Sequence, residues 1–275
     1  MGRAAERIES RENRWLKRFR GALSGNAPKD GAVLGAEGPR LVEEALRSGL
    51  TAEAVLVADS GERHLTRLRD WLHPKIRVLR TSDRLFASVA GTESPQGIAV
   101  LVEAPHWRPA DLLGAAALVI ALAGVQDPGN VGTIVRAAEA FGASGVIACA
   151  GTAHPLGVKA VRASAGSVFR LPTLVRPLPA GEMEELRGRG LRQFAAVASE
   201  GIPPTEAELA QPCVLWIGSE GAGLPPEIQR AADERLRIPV RAPVDSLNAA
   251  SAATVLLYEA ARQRGRMGAL PGGAQ

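Results

Sequence analysis

The feature that most constrains the fold is a regular alternation of short apolar runs with segments of helical periodicity. In the second half of the chain, the apolar runs with strand character are 118–123, 146–150, 194–198, 214–217 and 236–240. Helical patterns separate these runs, and the last and longest pattern spans 246–263. Strands that alternate with helices favour a parallel sheet covered on both faces. We therefore predict an α/β fold.

The first half of the chain alternates in the same way. Apolar runs at 32–36, 54–58, 76–79 and 97–102 indicate strands, and helical patterns cover 39–48, 62–72 and 83–89. A polar, proline-containing segment at 104–109 separates the two halves and is the best position for a linker. We predict a first domain at 1–104, a linker at 105–113, a second domain at 114–266 and a frayed Gly/Ala-rich tail at 267–275.

The N-terminal segment carries the excess positive charge. Residues 1–20 contain seven basic and three acidic side chains, an excess equal to the chain's formal net charge of +4. In a helix, one face would carry the four arginines Arg7, Arg11, Arg14 and Arg18. A second stripe, Ile8, Trp15 and Phe19, would pack on a domain. Such a helix is either a solvated surface element or an anchor for RNA phosphates, which guanidinium groups bind through two oxygens.

Composition excludes several other classes of protein. Apolar residues make up 46% and charged residues 23%, which is typical of a globular protein and not of a disordered one. The two cysteines are far apart in apolar runs, so we expect buried free thiols in a reducing compartment. The four histidines lack metal-ligand spacing, and we expect no metal site. No apolar stretch approaches the ~20 residues of a membrane span, and the charged start does not resemble a secretion signal. We expect a cytoplasmic protein without membrane contact.

Three loops that follow strands of the second half have unusual compositions, and ligands of open α/β sheets bind at such strand ends. The first runs from Asp127 through Asn130 to Gly132, with Arg136 four residues farther on a predicted helix. Asp, Pro, Gly and Asn are turn formers, so a tight connection is one interpretation. The other is an anion site, because a helix N-terminus and an arginine both favour phosphate.

The second loop, Gly218-Ser-Glu-Gly-Ala-Gly223, has glycines in the reverse of the dinucleotide-binding order, and no acid follows about 20 residues later. It is either a flexible turn, with Glu220 solvated, or a loop whose backbone approaches a ligand. The third loop contains Ile238-Pro239 and then Asp245-Ser-Leu-Asn248. We expect Asp245 or Ser246 to cap the following helix.

Other catalytic patterns are missing from the sequence. There is neither a Walker A sequence nor a G-x-S-x-G elbow, and His154 is the single histidine of the second half. The residues alone therefore indicate an α/β protein with a ligand site made of three loops.

Taken together, the three loops resemble the SpoU (TrmH) family of RNA ribose 2′-O-methyltransferases in the SPOUT superfamily. The similar segments are Asn130-x-Gly132-x-x-x-Arg136, then 217–224, then Ile238-Pro239 with Ser246-Leu-Asn248, the intermediate run 159–166 and Leu171-Pro172. In the first half, 35–45 and 92–97 are similar to the family's substrate-binding domain. One departure is visible: Ala249-Ala250 stands where the family often has Val-Ser.

This resemblance implies an S-adenosylmethionine-dependent enzyme that methylates a ribose 2′-hydroxyl of structured RNA, with 23S ribosomal RNA favoured over transfer RNA. It implies a C-terminal SPOUT domain with a parallel sheet and a deep trefoil knot, and a smaller N-terminal α/β domain similar to a ribosomal protein. It also implies a homodimer with the site close to the subunit interface.

The resemblance also implies roles for individual residues. The implied catalytic residues are Arg136, Asn130, Glu220, Ser246 and Asn248. The implied cofactor-binding residues are Gly218, Ile238, Leu247, Gly223 and Ala198. For RNA binding, Lys159 and Arg162 join the N-terminal arginines. Arg136 would hold the target phosphate, and the other catalytic residues would shape the site.

Two alternatives come from other classes. The first is a catalytically silent RNA-binding or ribosome-assembly factor on the same scaffold, which need not keep all five catalytic residues. The second is a dehydrogenase-like enzyme, which the reversed glycine order disfavours. The sequence does not distinguish housekeeping modification from antibiotic-resistance methylation.

Overall fold

A computed structural model describes residues 6–24, 33–177 and 179–265. The chain divides into two compact units. The first contains Met1–His106 and Leu156–Arg170, and the second contains Trp107–Pro155 and Leu171–Gln275. The predicted tail 267–275 lies outside the described residues.

The first unit is built on a five-stranded mixed sheet. Its strands are β1 (Glu6–Ile8), β2 (Val33–Glu37), β3 (Ala52–Ala58), β4 (Arg77–Thr81) and β5 (Ile98–Glu103). Its helices are α1 (Arg14–Leu23), α2 (Pro39–Arg47), α3 (Glu62–Leu68), α4 (Asp83–Ala87) and α7 (Val158–Ala163), with 3-10 turns at Asp59–Gly61, Arg69–Trp71 and Ser167–Phe169. The strand order is β1-β4-β3-β5-β2, and β5 runs antiparallel to both of its neighbours.

The second unit is built on a six-stranded sheet. Its strands are β6 (Leu118–Ala123), β7 (Gly145–Cys149), β8 (Thr173–Arg176), β9 (Arg192–Val197), β10 (Cys213–Gly218) and β11 (Glu234–Arg237). Its helices are α5 (Pro109–Leu112), α6 (Pro128–Ala140), α8 (Pro179–Gly188), α9 (Pro226–Ala231) and α10 (Ala249–Gln263), with a 3-10 turn at Pro204–Glu206.

Every pairing in the second sheet is parallel, in the order β11-β9-β10-β6-β7-β8. The predicted α/β fold with a parallel sheet is therefore confirmed. The order also explains where a ligand can bind, because β9, β10 and β11 are neighbours and all point the same way. The residues that follow these three strands lie at one edge of the sheet.

The single helix predicted for the N-terminal segment is wrong in extent. Ile8 belongs to β1, which pairs in parallel with β4, and the buried Thr81 hydroxyl donates a hydrogen bond to the Ile8 carbonyl at 3.0 Å. The helix begins only after Asn13, whose side chain accepts a hydrogen bond from the Trp15 amide at 2.8 Å. The predicted packing stripe of Ile8, Trp15 and Phe19 is buried in the first unit, although a strand and a helix share it.

The four arginines consequently do not share one helix face. Arg14 and Arg18 are one turn apart on α1, whereas Arg7 lies in β1 and Arg11 in the turn between them. Arg7 forms an ion pair with Asp59 at 3.2 Å. The helix is interrupted because burial of Ile8 beside β4 outweighs continuation of the helical charge pattern.

Residues 156–170 also depart from the predicted domain limits of 114–266. Helix α7 packs against β2, so this segment clusters with the first unit. The Arg170 guanidinium contacts the Glu44 carboxylate on α2 at 2.6 Å. The second unit is therefore assembled from two stretches of the chain.

The core of the second unit lies on both sides of β10. Trp216 is fully buried, and its indole N–H donates to the Gln193 side chain at 2.7 Å. The Gln193 amide in turn donates to the Leu191 carbonyl at 2.9 Å, so this buried polar pair is satisfied. Cys149 and Cys213 are free and buried, and burial raises the pKa of their thiols to about 12 and about 11.

Candidate functional site

A cavity of about 380 Å³ opens in the second unit, where β9, β10 and β11 end. All five residues predicted to bind the cofactor line it: Ala198, Gly218, Gly223, Ile238 and Leu247. Ala198 directly follows β9, Gly218 is the last residue of β10, and Ile238 directly follows β11. The parallel order of these strands therefore brings together residues that are far apart in the sequence.

The second loop folds back on the end of β10. Ser219 and Gly223 exchange backbone hydrogen bonds of 3.1 and 3.0 Å, and the Ser219 hydroxyl accepts from the Ala222 amide at 3.1 Å. A Cβ atom on Gly218 would overlap the carbonyl of Gly223 and the nitrogen of Leu224. Gly223 has a φ of +67°, which favours glycine. Both glycines are thus required to form the narrow turn that makes this wall.

The first loop is ordered by its own cap. The Asp127 carboxylate accepts hydrogen bonds from the amides of Gly129 and Asn130 at 3.3 and 3.1 Å, and Pro128 occupies the first position of α6. This is the tight strand-to-helix connection that the composition indicates. It fixes the position of Asn130 on the first turn of α6.

The third loop ends in a cap that differs from the prediction. The Asn248 side chain, not Asp245 or Ser246, caps α10 by accepting from the amides of Ala250 and Ser251 at 2.9 and 3.3 Å. The helix begins at Ala249, so Asp245 and Ser246 lie too early to reach its free N–H groups. Both residues line the cavity instead.

A chain of side-chain hydrogen bonds joins the three loops. The Asn130 amide donates to the Glu220 carboxylate, and the Asn248 amide donates to the Asn130 side-chain oxygen at 3.1 Å. Glu220 lines the cavity. Asn130 and Asn248 are not part of its wall; Asn130 contacts Glu220 directly, and Asn248 contacts Asn130.

Arg136 stands apart from the cavity. It is exposed on α6 and is not part of the cavity wall. The structure shows no hydrogen bond or ion pair between its guanidinium and any other described residue. A guanidinium without an internal carboxylate partner is free to bind an external anion.

The remaining predicted RNA-binding residues, Lys159 and Arg162, are on α7 in the first unit. Arg162 donates to the Gly91 carbonyl at 3.2 Å, and both side chains line a shallow groove with Thr92 and Glu93.

Two charged residues of the cavity wall, Glu200 and Arg235, were not predicted from the sequence. The sequence did contain a signal for Glu200, because this acid follows the end of a strand and precedes a glycine. Among the residues that the structure describes, no cluster of three or more His, Cys, Asp or Glu side chains could hold a metal ion. Within the same residues, no helix is long and apolar enough to cross a bilayer.

Each of the two units matches a known protein family. Residues 117–258 match the SpoU rRNA methylase family, and residues 29–100 match the MRM3-like substrate-binding domain. The 23S rRNA (guanosine(2553)-2′-O)-methyltransferase RlmP of Bacillus subtilis is 35% identical over 222 residues, covering 81% of this chain and 86% of that protein. The 23S rRNA (uridine(2479)-2′-O)-methyltransferase of Streptomyces viridochromogenes is 33% identical, covering 95% and 93%.

A solved structure is similar over almost the whole chain. The SpoU methyltransferase AviRb from Streptomyces viridochromogenes, in complex with the cofactor AdoMet, has a TM-score of 0.81 and 27% identity, covering 92% of this chain and 98% of that one. Sequence and structure therefore agree along both units. The chain belongs to the SpoU rRNA methylase family.

Proposed function

We propose that this protein transfers a methyl group from S-adenosylmethionine to the ribose 2′-hydroxyl of a nucleotide in 23S ribosomal RNA. The observation that carries the proposal is the convergence of the three family-like loops, through Asn130, Glu220 and Asn248, beside one cavity. The names of the two relatives support ribosomal RNA as the substrate. Such an enzyme works in the cytoplasm, where ribosomes are assembled.

The cavity fits the methyl donor in size and chemistry. About 380 Å³ is within the usual range of roughly 300–1,000 Å³ for small-molecule sites. Its walls combine apolar side chains, such as Ile238 and Leu247, with the backbone of the Gly218–Gly223 turn. S-adenosylmethionine supplies an electrophilic methyl group when bound, and these residues hold it and exclude water.

Other residues of the chain bind and align the RNA ribose that accepts the methyl group. Methyl transfer is an in-line displacement, so alignment of the acceptor oxygen contributes much of the rate. Arg136 binds the phosphate of the target nucleotide and stabilises the negative charge that develops on the 2′-oxygen as the hydroxyl proton passes to water. Glu220, held by Asn130, and Ser246 on the cavity wall shape the space into which the ribose enters.

The proposal includes assembly into a homodimer, which the exposed surface of α10 supports. Val255 and Tyr258 on this helix are 40% and 44% exposed, and the Tyr258 ring lies edge-on to Phe141 at 5.9 Å.

A trefoil knot also belongs to the proposal. The Arg264 guanidinium, just after α10, donates to carbonyls on two separate segments, at Ala116 and Gln211, which supports packing of the end of α10 between these segments.

The direct test is incubation of the purified protein with labelled S-adenosylmethionine and ribosomal RNA from cells that lack its gene. We expect label in one nucleotide of the large-subunit RNA, at a position that resists alkaline cleavage because its 2′-hydroxyl is methylated. RNA binding without label incorporation would contradict the proposal and favour a catalytically silent factor. Label in transfer RNA alone would contradict the substrate.

RNA phosphates are bound in part by Arg14 and Arg18 of α1. Both guanidiniums lie over the Trp15 ring, 5.5 and 5.0 Å from its centroid, and Arg77 approaches the same ring at 5.8 Å. Arg14 has no ion pair with another described residue, whereas Arg18 pairs with Glu53 at 2.5 Å. Guanidinium groups crowded on one ring repel each other, and a phosphate would relieve that repulsion.

The double substitution Arg14→Gln and Arg18→Gln is expected to weaken RNA binding and flatten its salt dependence. Removal of one phosphate contact lowers the slope of log K against log salt by about 0.7–0.9. Filter binding over a salt series measures both quantities. Arg63→Gln with Arg84→Gln is the matched control, since both arginines are exposed in the same unit. An unchanged slope in the α1 variant would make α1 an ordinary solvated helix.

A further inference from the structure

Glu200 has an unusual backbone conformation at the mouth of the cavity. Its φ is +55°, in the left-handed region that favours glycine, and its side chain is part of the cavity wall. Among the described residues, the one other non-glycine with positive φ is Ala165, which lies in the first unit. Within the described part of the second unit, the strain is therefore located at the proposed cofactor site.

Close packing after β9 fixes the position of Glu200. A Cβ on the next residue, Gly201, would press against the Arg235 carbonyl and the Arg237 nitrogen. The following residue, Ile202, donates to the Arg235 carbonyl and accepts from the Arg237 amide, both at 2.9 Å. The chain therefore packs closely against β11 at residues 201 and 202. Glu200, which directly precedes them, places its side chain on the cavity wall.

The ion pair that Glu200 makes does not explain why a glutamate stands there. Its carboxylate is 3.6 Å from the Arg235 guanidinium, and the two side chains are 81% and 46% exposed. Exposed pairs of this kind contribute little to stability, whereas a left-handed non-glycine residue is costly. Glycine or asparagine would form the same turn with less strain. Strain that stability does not explain points to a role in binding.

The chemistry of the position indicates which part of a ligand it binds. An ionised carboxylate only accepts hydrogen bonds, and a ribose 2′,3′-diol offers two hydroxyl donors. In other α/β folds, an acid near a strand end binds the ribose of a nucleotide cofactor in this way. Of the remaining acids on the wall, Glu220 is already bonded to Asn130, while Asp245 is on the third loop, not at the end of β9.

We infer that Glu200 accepts hydrogen bonds from the ribose diol of the methyl donor and selects for a ribonucleoside. This inference rests on the proposed function, because it assumes that the cavity takes S-adenosylmethionine.

Calorimetric titration tests the inference without methyl transfer. The ligands are S-adenosylhomocysteine, 5′-methylthioadenosine, which keeps the diol but lacks the amino acid, and 2′-deoxy-5′-methylthioadenosine. Glu200→Ala is expected to weaken the first two by roughly tenfold, the size of a hydrogen bond to a charged group. The wild type is expected to bind the 2′-deoxy compound more weakly than its parent, and the variant is expected to bind both alike. Glu227→Ala is the control, as an exposed acid outside the cavity wall.

Glu200→Gly separates binding from folding. Because glycine relieves the strain, its melting temperature is expected to equal or exceed that of the wild type while its affinity for 5′-methylthioadenosine falls as in Glu200→Ala. Unchanged affinity in both variants, or a loss for S-adenosylhomocysteine alone, would overturn the diol assignment. Wild-type protein that binds none of the ligands would overturn the proposed cofactor, and with it this inference.

Discussion

Gly218→Ala is expected to eliminate measurable cofactor binding and to lower the melting temperature. A methyl group at this position would overlap the backbone of Gly223 and Leu224, which cannot rotate away as a flexible side chain could. Overpacking of this kind costs about 1–3 kcal/mol, and here it must push the second loop off the end of β10. The wall formed by that loop would then lose its shape.

Two other glycines of the same loop are internal controls. Gly221 has open space where a Cβ would point and no positive φ, so Gly221→Ala is expected to behave as the wild type. Gly223 also has open space but has a φ of +67°, so Gly223→Ala is expected to cost about 1–2 kcal/mol from backbone strain alone. Titration with S-adenosylhomocysteine measures the loss of affinity, and thermal unfolding measures the loss of stability. Both losses are expected to increase in the order Gly221→Ala, Gly223→Ala, Gly218→Ala.

This series distinguishes packing from mobility. If Gly221→Ala reduced cofactor affinity as strongly as Gly218→Ala, the loop would depend on its flexibility and not on its close contact with β10. If Gly218→Ala bound the cofactor normally, the second loop would not form the wall of the site.

The strands were predictable to the extent that their burial is continuous. Strand β6 is buried along its whole length, and its predicted limits, 118–123, match the structure. Strand β8 was not predicted, because it has one neighbour in the sheet and its residues are partly exposed. A four-residue edge strand that is partly exposed lacks the long apolar run on which such a prediction depends.

Long-range pairing accounts for the error at the N-terminus. Nothing in the local pattern of residues 6–8 distinguishes the first turn of a helix from a short strand. The strand forms because β4 offers an edge on which Ile8 becomes buried. That edge is about 70 residues away in the sequence, and periodicity reports only on neighbours.

Some features of the candidate site could also be predicted from the sequence, and others could not. The loops were predictable from turn chemistry, and their common edge follows from the rule that ligands bind beyond the carboxyl ends of parallel strands. The particular bonds were not predictable, since the cap of α10 depends on where the helix begins, and Asn248 lies directly before Ala249. The bond between Asn130 and Asn248 joins residues 118 positions apart.

Arg136→Ala is expected to reduce methyl transfer by roughly 100- to 1,000-fold, the usual effect of removing one group that stabilises charge in a transition state. The same variant is expected to keep its stability within about 0.5 kcal/mol, because the side chain is exposed and has no partner among the described residues. Its affinity for S-adenosylhomocysteine is expected to be unchanged, because Arg136 is not part of the cavity wall.

Two further variants give this experiment its controls. Arg136→Lys keeps the charge but cannot bind two phosphate oxygens at once, so it is expected to recover only part of the methyl-transfer rate. Arg230→Ala removes another exposed arginine of the second unit that is not on the cavity wall, and it is expected to leave the rate unchanged. Single-turnover assays at saturating RNA measure the chemical step, and calorimetry measures the cofactor affinity. Loss of cofactor affinity with the fold intact would make Arg136 a cofactor ligand, and a normal rate in Arg136→Ala would remove it from the reaction.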